Sequence, residues 1–301
     1  MESARSGEWH LRRATKGDAA EIGRLLKVSA LSHVHPDWHL PVDWLGSPGF
    51  VVCEEATPAG IESSLWGCLA VGVDPPPAAW VRVAALGSGA GLERRLSEML
   101  EATLPWLREQ GVTILGWLPT ELWPERWLAS AGFGIVNHIV TYDLERIDVE
   151  IRNFGPATIR PATLNDLPLL AEIEKMAFDP LWRYSAKGLL LAHRQALAFE
   201  IAELEGRIVG FQYSVAGRDG QSAHLVRLTV SPRAQGRGVG SGLMASALDG
   251  YARRGIKRVT LNTQLDNHPS RRLYKRFGFS QLGDRVPVWA MEFGTIGFAE
   301  N

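Results

Sequence analysis

The residues with the strongest chemical promise are Ser231-Pro232-Arg233-Ala234-Gln235-Gly236-Arg237-Gly238-Val239-Gly240-Ser241. Glycines at 236, 238 and 240 remove side chains where a backbone must come close to a ligand. At the start of a helix the main-chain N–H groups point outward, and the dipole favours an anion. A pyrophosphate is the natural fit, with Arg233 and Arg237 adding charge-assisted contacts to its oxygens. The competing explanation is structural: Gly238 and Gly240 would allow a helix to pack tightly on a strand. Two nucleotide-binding patterns do not fit the loop. A dinucleotide fingerprint needs the first strand of a βαβ unit and an acidic residue about 20 positions on, whereas Asp249 falls inside the following helix. A P-loop needs Gly-Lys-Ser/Thr, which is absent.

The elements that must hold this loop follow from hydrophobic spacing. Residues 158–160 read as a short strand, and Asn165-Asp166 as the N-cap of a helix with Leu169, Leu170, Ile173 and Met176 on one face. Ser185 is expected to cap a second helix reaching residue 199. Residues 201–204 and 208–215 are strand-like and separated by Glu205-Gly206, which suits an antiparallel hairpin. Residues 225–230 add a strand. Val239, Leu243, Met244, Ala247, Leu248 and Tyr251 then recur at helical spacing until Gly255, followed by a strand at 259–261, a short helix near 269–277 and terminal strands. The expected fold class is α/β: a mixed, mostly antiparallel sheet flanked by helices.

A second segment reads Asn267-His268-Pro269-Ser270-Arg271-Arg272-Leu273-Tyr274-Lys275-Arg276-Phe277-Gly278-Phe279. With Gln235-Gly236-Arg237-Gly238-Val239-Gly240 and the preceding Leu228-Thr229-Val230-Ser231-Pro232, it resembles the GNAT superfamily of acyl-CoA-dependent N-acetyltransferases, whose patterns are Q-x-x-G-x-G and N-x-x-S/A-x-x-L-Y-x-x-x-G-F. The resemblance covers about residues 157–294 well and residues 8–144 only as a faded copy. It implies acetyl-CoA as cofactor, with its pyrophosphate on the amides from Gln235 to Ser241 and its phosphates near the basic group Arg233, Arg237, Arg271, Arg272 and Arg276. The pantetheine arm would lie beside a strand as an added strand, using the main chain of Leu228, Thr229 and Val230. An N–H near Val230 would face the thioester oxygen, Asn267 would bond the arm or hold the strand edge open, and Tyr274 would give a proton to the departing thiolate. In isolation Tyr274 would read as a packed aromatic on a short helix; the motif around it favours the acid.

The general base is less clearly marked. In peptide and ribosomal-protein acetyltransferases a glutamate stands five residues before the motif asparagine; this chain has Asn262 there. His224 is the nearest titratable substitute by intrinsic pKa, and it could instead be a strand-end histidine at the surface. A base is also unnecessary if the amine binds already neutral.

The chain repeats itself. Residues 10–15 match residues 158–163 at offset 148, each followed by an aspartate, Asp18 and Asp166; residues 80–83 match 225–228 at offset 145, and residues 129–133 match 275–279 at offset 146. Two tandem copies of one fold are expected, in domains 1–150 and 151–301, with a linker around residues 153–156. Residues 1–150 hold 12 Lys and Arg against 20 Asp and Glu, a net −8, and residues 151–301 hold 20 against 13, a net +7. At offset 145 the first copy places Leu92, Glu93 and Arg95 opposite Arg237, Gly238 and Gly240. A carboxylate and bulky side chains there imply that the first copy keeps the fold and does not bind coenzyme A. Glu121 and Leu128 stand opposite Asn267 and Tyr274.

The overall expectation is a cytoplasmic N-acetyltransferase acting on a primary amine by direct attack on the thioester. A small-molecule amine is preferred over a peptide or protein amine because of Asn262, and a catalytically silent acyl-CoA-binding regulator is the rival. No nucleic-acid partner is expected, because the basic residues lack interleaved aromatics, and no membrane partner, because no apolar run approaches about 20 residues. Cys53 and Cys68 are too few for a disulfide framework. His33, His35 and His39 have metal-like spacing but read as a loop, and no metal is expected. The corresponding stretch in the second copy, residues 178–184, is expected to shape the acceptor pocket, and most of the nine tryptophans of the first half should fill core.

Overall fold

The computed structural model describes residues 9–37, 39–55, 64–89, 91–147 and 155–293. It forms two compact units: Met1–Val136 with Pro287–Asn301, and Asn137–Val286. The first unit runs β1 (Trp9–Arg13), α1 (Ala19–Val28), β2 (Leu31–Val34), β3 (Phe50–Glu55), β4 (Leu65–Val73), β5 (Ala78–Leu86), α2 (Leu92–Glu109), β6 (Ile114–Trp117) and the single turn α3 (Glu125–Leu128). β7 (Gly134–Leu144) carries the chain into the second unit. There follow β8 (Thr158–Pro161), α4 (Leu167–Ala177), α5 (Ala186–Gln195), β9 (Ala198–Leu204), β10 (Arg207–Ala216), β11 (Ser222–Val230), α6 (Val239–Arg253), β12 (Arg258–Gln264), α7 (His268–Arg276) and β13 (Ser280–Glu292).

The fold is the expected mixed sheet with helices on its faces. In the first unit Val51, Leu69 and Val71 join Leu96, Met99 and Leu107 of α2 in one core layer, while Val52, Cys68 and Ala70 join Ile22 of α1 in another. Burial on both faces explains why β4 and β5 read as near-continuous hydrophobic runs. Both cysteines are free and buried, and burial pushes their thiols up to about 11 for Cys53 and about 12 for Cys68. Trp66, Trp80, Trp117 and Trp123 are buried.

The sequence repeat has a structural counterpart. Arg12 donates to both carboxylate oxygens of Asp18 (2.9 and 2.7 Å) and to Glu54 (2.8 Å), while Asp18 accepts from the Thr15 N–H (2.6 Å) and hydroxyl (2.9 Å). In the second unit Arg160 donates to Asp166 (2.9 and 3.0 Å) and Glu203 (3.0 Å), and Asp166 accepts from the Thr163 N–H (2.7 Å) and hydroxyl (2.8 Å). The aspartate expected to cap α4 thus reaches back to fasten the strand before it, and makes no side-chain cap bond of its own.

Each unit completes its sheet with a strand end that a cut at residue 150 would assign to the other half. β7 pairs with β12 from Leu144↔Val259 to Gln264↔Ile139 inside the second unit, and β13 pairs with β6 from Trp289↔Trp117 to Glu292↔Ile114 inside the first. Two local expectations also need correction. α5 ends at Gln195 rather than at residue 199: the Leu197 N–H donates to Ser214 O (2.7 Å), and Phe199 stacks with Phe211 and Tyr213 within the sheet. The stretch around His33 is not all loop, because Leu31–Val34 is strand β2, paired antiparallel to β5. Trp38 and the first part of the linker, residues 153–154, lie outside the described residues.

Candidate active site

The site begins where two strands part. β12 accompanies β11 from Ser222↔Arg258 to Leu225↔Leu261 and then leaves it, while β10 stays paired to the other side of β11 as far as Gly210↔Val230. The β10 register shifts opposite Val226, a bulge at the point of parting. Along the opened stretch lies a cleft of about 510 Å³, with Leu228, Thr229 and Val230 on its β11 side.

The glycine loop closes one end of this cleft. Gly236 and Gly238 have φ of 75° and 83°, a left-handed conformation that a side chain would strain, and Gly238 is the N-cap of α6. Gln235, Gly236, Gly238, Val239, Gly240 and Ser241 all border the cleft, and the Gln235 side chain donates back to Val230 O (3.2 Å). Arg233 and Arg237 do not border it: Arg237 pairs on the surface with Glu205 (2.7 Å). The cationic wall comes instead from α7, where Pro269, Arg272, Leu273 and Arg276 recur at one-face helical spacing and line the cleft. Arg272 and Arg276 are thus the members of the expected basic group that reach the cleft, while the roles of Pro269 and Leu273 as its wall were not singled out from the sequence, although their spacing is the signal that finds them. Arg276 reaches Ser241 at 3.4 Å.

Asn267 caps α7, accepting from the Ser270 N–H (3.3 Å), and donates to the Thr263 hydroxyl on β12 (3.2 Å). It lines the cleft and fixes where β12 ends. Tyr274 is buried behind this wall, with its ring 5.7 Å from Tyr142 and 6.1 Å from Phe279. Burial raises its phenol above the ordinary tyrosine range, while Ser270, Arg227 and Thr263 pull the other way, and the residue borders neither cavity described here. His224 behaves differently. It lies where β11 and β12 are still paired, opposite Thr260, its Nδ1 is 2.8 Å from the Thr260 hydroxyl, and it lines neither cavity described here. Burial lowers its pKa and keeps the ring neutral at pH 7.

A second cavity of about 370 Å³ shares Ala177, Phe178 and Asn267 with the cleft. It is polar, bordered by Asp179 and Arg183 from the stretch after α4 and by Gln264 and Asp266 at the end of β12. Its wall is anchored from behind. Glu174, fully buried, binds Arg227 Nε (3.0 Å) and Nη2 and accepts from the Thr229 hydroxyl (2.6 Å). The Arg227 guanidinium stacks 3.8 Å from the Phe178 ring and donates to Trp182 O, so one arginine ties β11 to residues 178–182.

The first unit has the same parting and fills it. β5 and β6 pair from Ala78↔Ile114 to Trp80↔Gly116, which at offset 145 matches the β11–β12 pairing, and then separate. Where the second unit opens a cleft, β2 pairs with β5 from Leu31↔Leu86 to Val34↔Val83. Residues 83–85 of β5 are the counterparts of residues 228–230. The helix N-cap refines the glycine alignment: Gly91, with φ of 80°, caps α2 as Gly238 caps α6, an offset of 147 that brings Glu93 opposite Gly240. Arg95 is buried against Trp9 and Trp66 and pairs with Glu55 (2.8 Å). Among the described residues no group of three or more His, Cys, Asp or Glu could hold a metal.

A family model described as Acetyltransferase (GNAT) family matches residues 167–279, the stretch that contains both motifs and the cleft. Residues 167–279 thus carry a GNAT acetyltransferase domain. Among relatives, a Bacillus subtilis protein provisionally named as an alanine N-acetyltransferase of ribosomal protein bS18 is 26% identical over 129 residues, 43% of this chain and 84% of that one. The mycothiol acetyltransferase of Clavibacter michiganensis subsp. michiganensis is 37% identical over 84 residues, and the chain spans only 27% of its length. The fold of a tandem GNAT protein from the clavulanic acid biosynthesis pathway covers 95% of this chain and 98% of its own, with TM-score 0.56 at 17% identity. Two GNAT folds in one chain therefore describe the whole architecture. No helix among the described residues is long and apolar enough to cross a membrane.

Proposed function

We propose that the second unit transfers an acetyl group from acetyl-CoA to a primary amine, and that a small molecule carries that amine. The observation that carries this reading is the meeting of two cavities at Phe178 and Asn267: a cleft with a glycine-capped helix N-terminus and two arginines, and a polar pocket with two carboxylates. The first suits an anionic, strand-like ligand. The outward amides of residues 236–241 and the side chains of Arg272 and Arg276 would hold phosphates, and the β11 edge at residues 228–230 would take the arm as an added strand. Acetyl-CoA supplies the acetyl group as an activated thioester. With acetyl-CoA bound, a main-chain N–H near Val230 would face the carbonyl oxygen where charge develops, and Tyr274, held protonated by burial, would donate its proton to the departing thiolate. Asp179 and Asp266 border the pocket that receives the amine. No proton transfer is assigned to His224, which lies where β11 and β12 are still paired and is held in a hydrogen bond to Thr260.

We infer in addition that the first unit takes no coenzyme A. The backbone edge on which the arm would pair is already satisfied by β2, and Glu93 stands at its helix N-terminus. The direct experiment is a thiol-release assay with a panel of amines at saturating acetyl-CoA. Free thiol should appear only when a suitable amine is present; binding of acetyl-CoA with no release across small amines and peptides would leave a binding protein and sink the catalytic reading.

A further inference from the structure

The strand β7 belongs by sequence to the first repeat, yet it borders the helix that carries Tyr274. Tyr142 sits near its C-terminal end, fully buried, paired with Leu261 of β12. Its ring packs 5.7 Å from that of Tyr274, and its hydroxyl accepts from Arg271 Nε (3.1 Å). Positions 271 and 274 are neighbours on one helical face, so a single side chain grips α7 at two successive points. Arg271 extends the grip: its Nη1 donates to Leu265 O (2.6 Å) on the turn leading to Asn267. Neighbouring β7 residues fasten the same turn, since the Leu265 N–H donates to His138 O (2.8 Å) and Asn137 donates to Asp266 (2.9 Å).

α7 has nine residues. A helix so short has little stability of its own, and its orientation is set by what packs on it. We propose that Tyr142 is a positioning residue for the acetyl transfer: by holding α7 at Arg271 and Tyr274 it directs the Tyr274 hydroxyl toward the reacting sulfur. The first repeat thereby supplies a working part of the second repeat's site, which gives a faded copy a reason to persist. This rests on the reading of Tyr274 as proton donor.

The groups that act on the Tyr274 phenol are Ser270 on its own helix, Thr263 on β12, Arg227 on β11 and Tyr142 on β7. Burial, the largest influence, holds the phenol above its ordinary range, and the Tyr142 ring is part of what excludes water. In the full-length protein, Tyr142→Leu should lower kcat about 10- to 100-fold, weaken acetyl-CoA binding through Arg272 and Arg276 by a much smaller factor, and move the alkaline limb of the kcat profile to lower pH as water reaches the phenol. Tyr142→Phe keeps the ring and should restore that limb. If Tyr142→Leu does not fold by near-ultraviolet circular dichroism, Tyr142→Met, a flexible side chain of similar reach, takes its place. A folded Leu or Met variant with wild-type kcat and limb, or with cofactor affinity falling in step with kcat, overturns the proposal. Tyr274→Phe with unchanged kcat overturns instead the acid reading beneath it.

Discussion

Arg227 and Glu174 form an ion pair behind the cleft, the carboxylate wholly buried and the guanidinium stacked on Phe178. Such a pair is not a large net source of stability, but breaking it strands a charge in a medium that cannot solvate it. Glu174→Gln should therefore cost about 3–5 kcal/mol in urea unfolding and loosen residues 178–182, raising KM for the acceptor. Glu205→Gln at the exposed partner of Arg237 provides the contrast, with an expected cost of about 0–1 kcal/mol. Equal costs at the two sites would mean that Glu174 is not buried with its charge.

Tyr274→Phe removes one hydroxyl and keeps the ring that packs on Tyr142 and Phe279. If the phenol is the proton donor, kcat should fall by about 10²–10⁴ while acetyl-CoA affinity, measured by calorimetry, stays within about twofold. Because the folded pKa lies above the ordinary value near 10, the proton is present through neutral pH and leaves only in strong alkali. Loss of wild-type kcat on raising pH from about 7 to 9 would therefore have to come from another group, and the same fall in Tyr274→Phe would identify it as such.

Asp18 and Asp166 each receive an arginine, and that bond is the main reason their carboxyls sit well below the usual carboxylate range. A depressed folded-state pKa contributes stability that is fully present above the unfolded value near 3.9 and disappears as pH falls through the folded value. Unfolding free energy measured in urea should decline as pH drops from about 5 toward 2. Asp166→Asn should flatten part of that decline while lowering stability at pH 7. An unchanged acid profile would show that the carboxylate is not selectively bound in the native state.

What the sequence disclosed and what it withheld divide along range of contact. The glycine loop, the N-cap of α6, the hairpin at Glu205-Gly206 and the face of α7 are local, and residue type and spacing mark them. The partners of strand ends are not. Nothing in residues 134–144 says that they will pair with β12 rather than within their own repeat, because a period of two fixes which face a strand buries and not which edge it joins. The four residues of β2 carry no strand signature either; their place is set by the vacant edge that β6 leaves on β5. For the same reason the sequence could not sort the basic group: Arg233 and Arg237, nearest the loop in sequence, stay off the cleft, while Arg272 and Arg276, more than thirty residues further on, reach it.

The closed groove of the first unit and the open one of the second lead to a stoichiometry. One acetyl-CoA should bind per chain, and Gly240→Glu should abolish it. A Cβ at Gly240 would meet Leu273 at 3.5 Å and Leu228 and Val230 at 3.7 Å, ordinary van der Waals contact, so the backbone accepts a Cβ there. The added carboxylate reproduces Glu93 of the first unit and points negative charge at the place proposed for the pyrophosphate. Like charges brought together in an interface cost several kcal/mol, so affinity should fall about 100-fold or more, and Gly240→Ala should retain most of it. Calorimetry decides the matter in one titration series. A wild-type stoichiometry of two, or one site surviving undiminished in Gly240→Glu, would place a functional cofactor groove in the first unit despite β2.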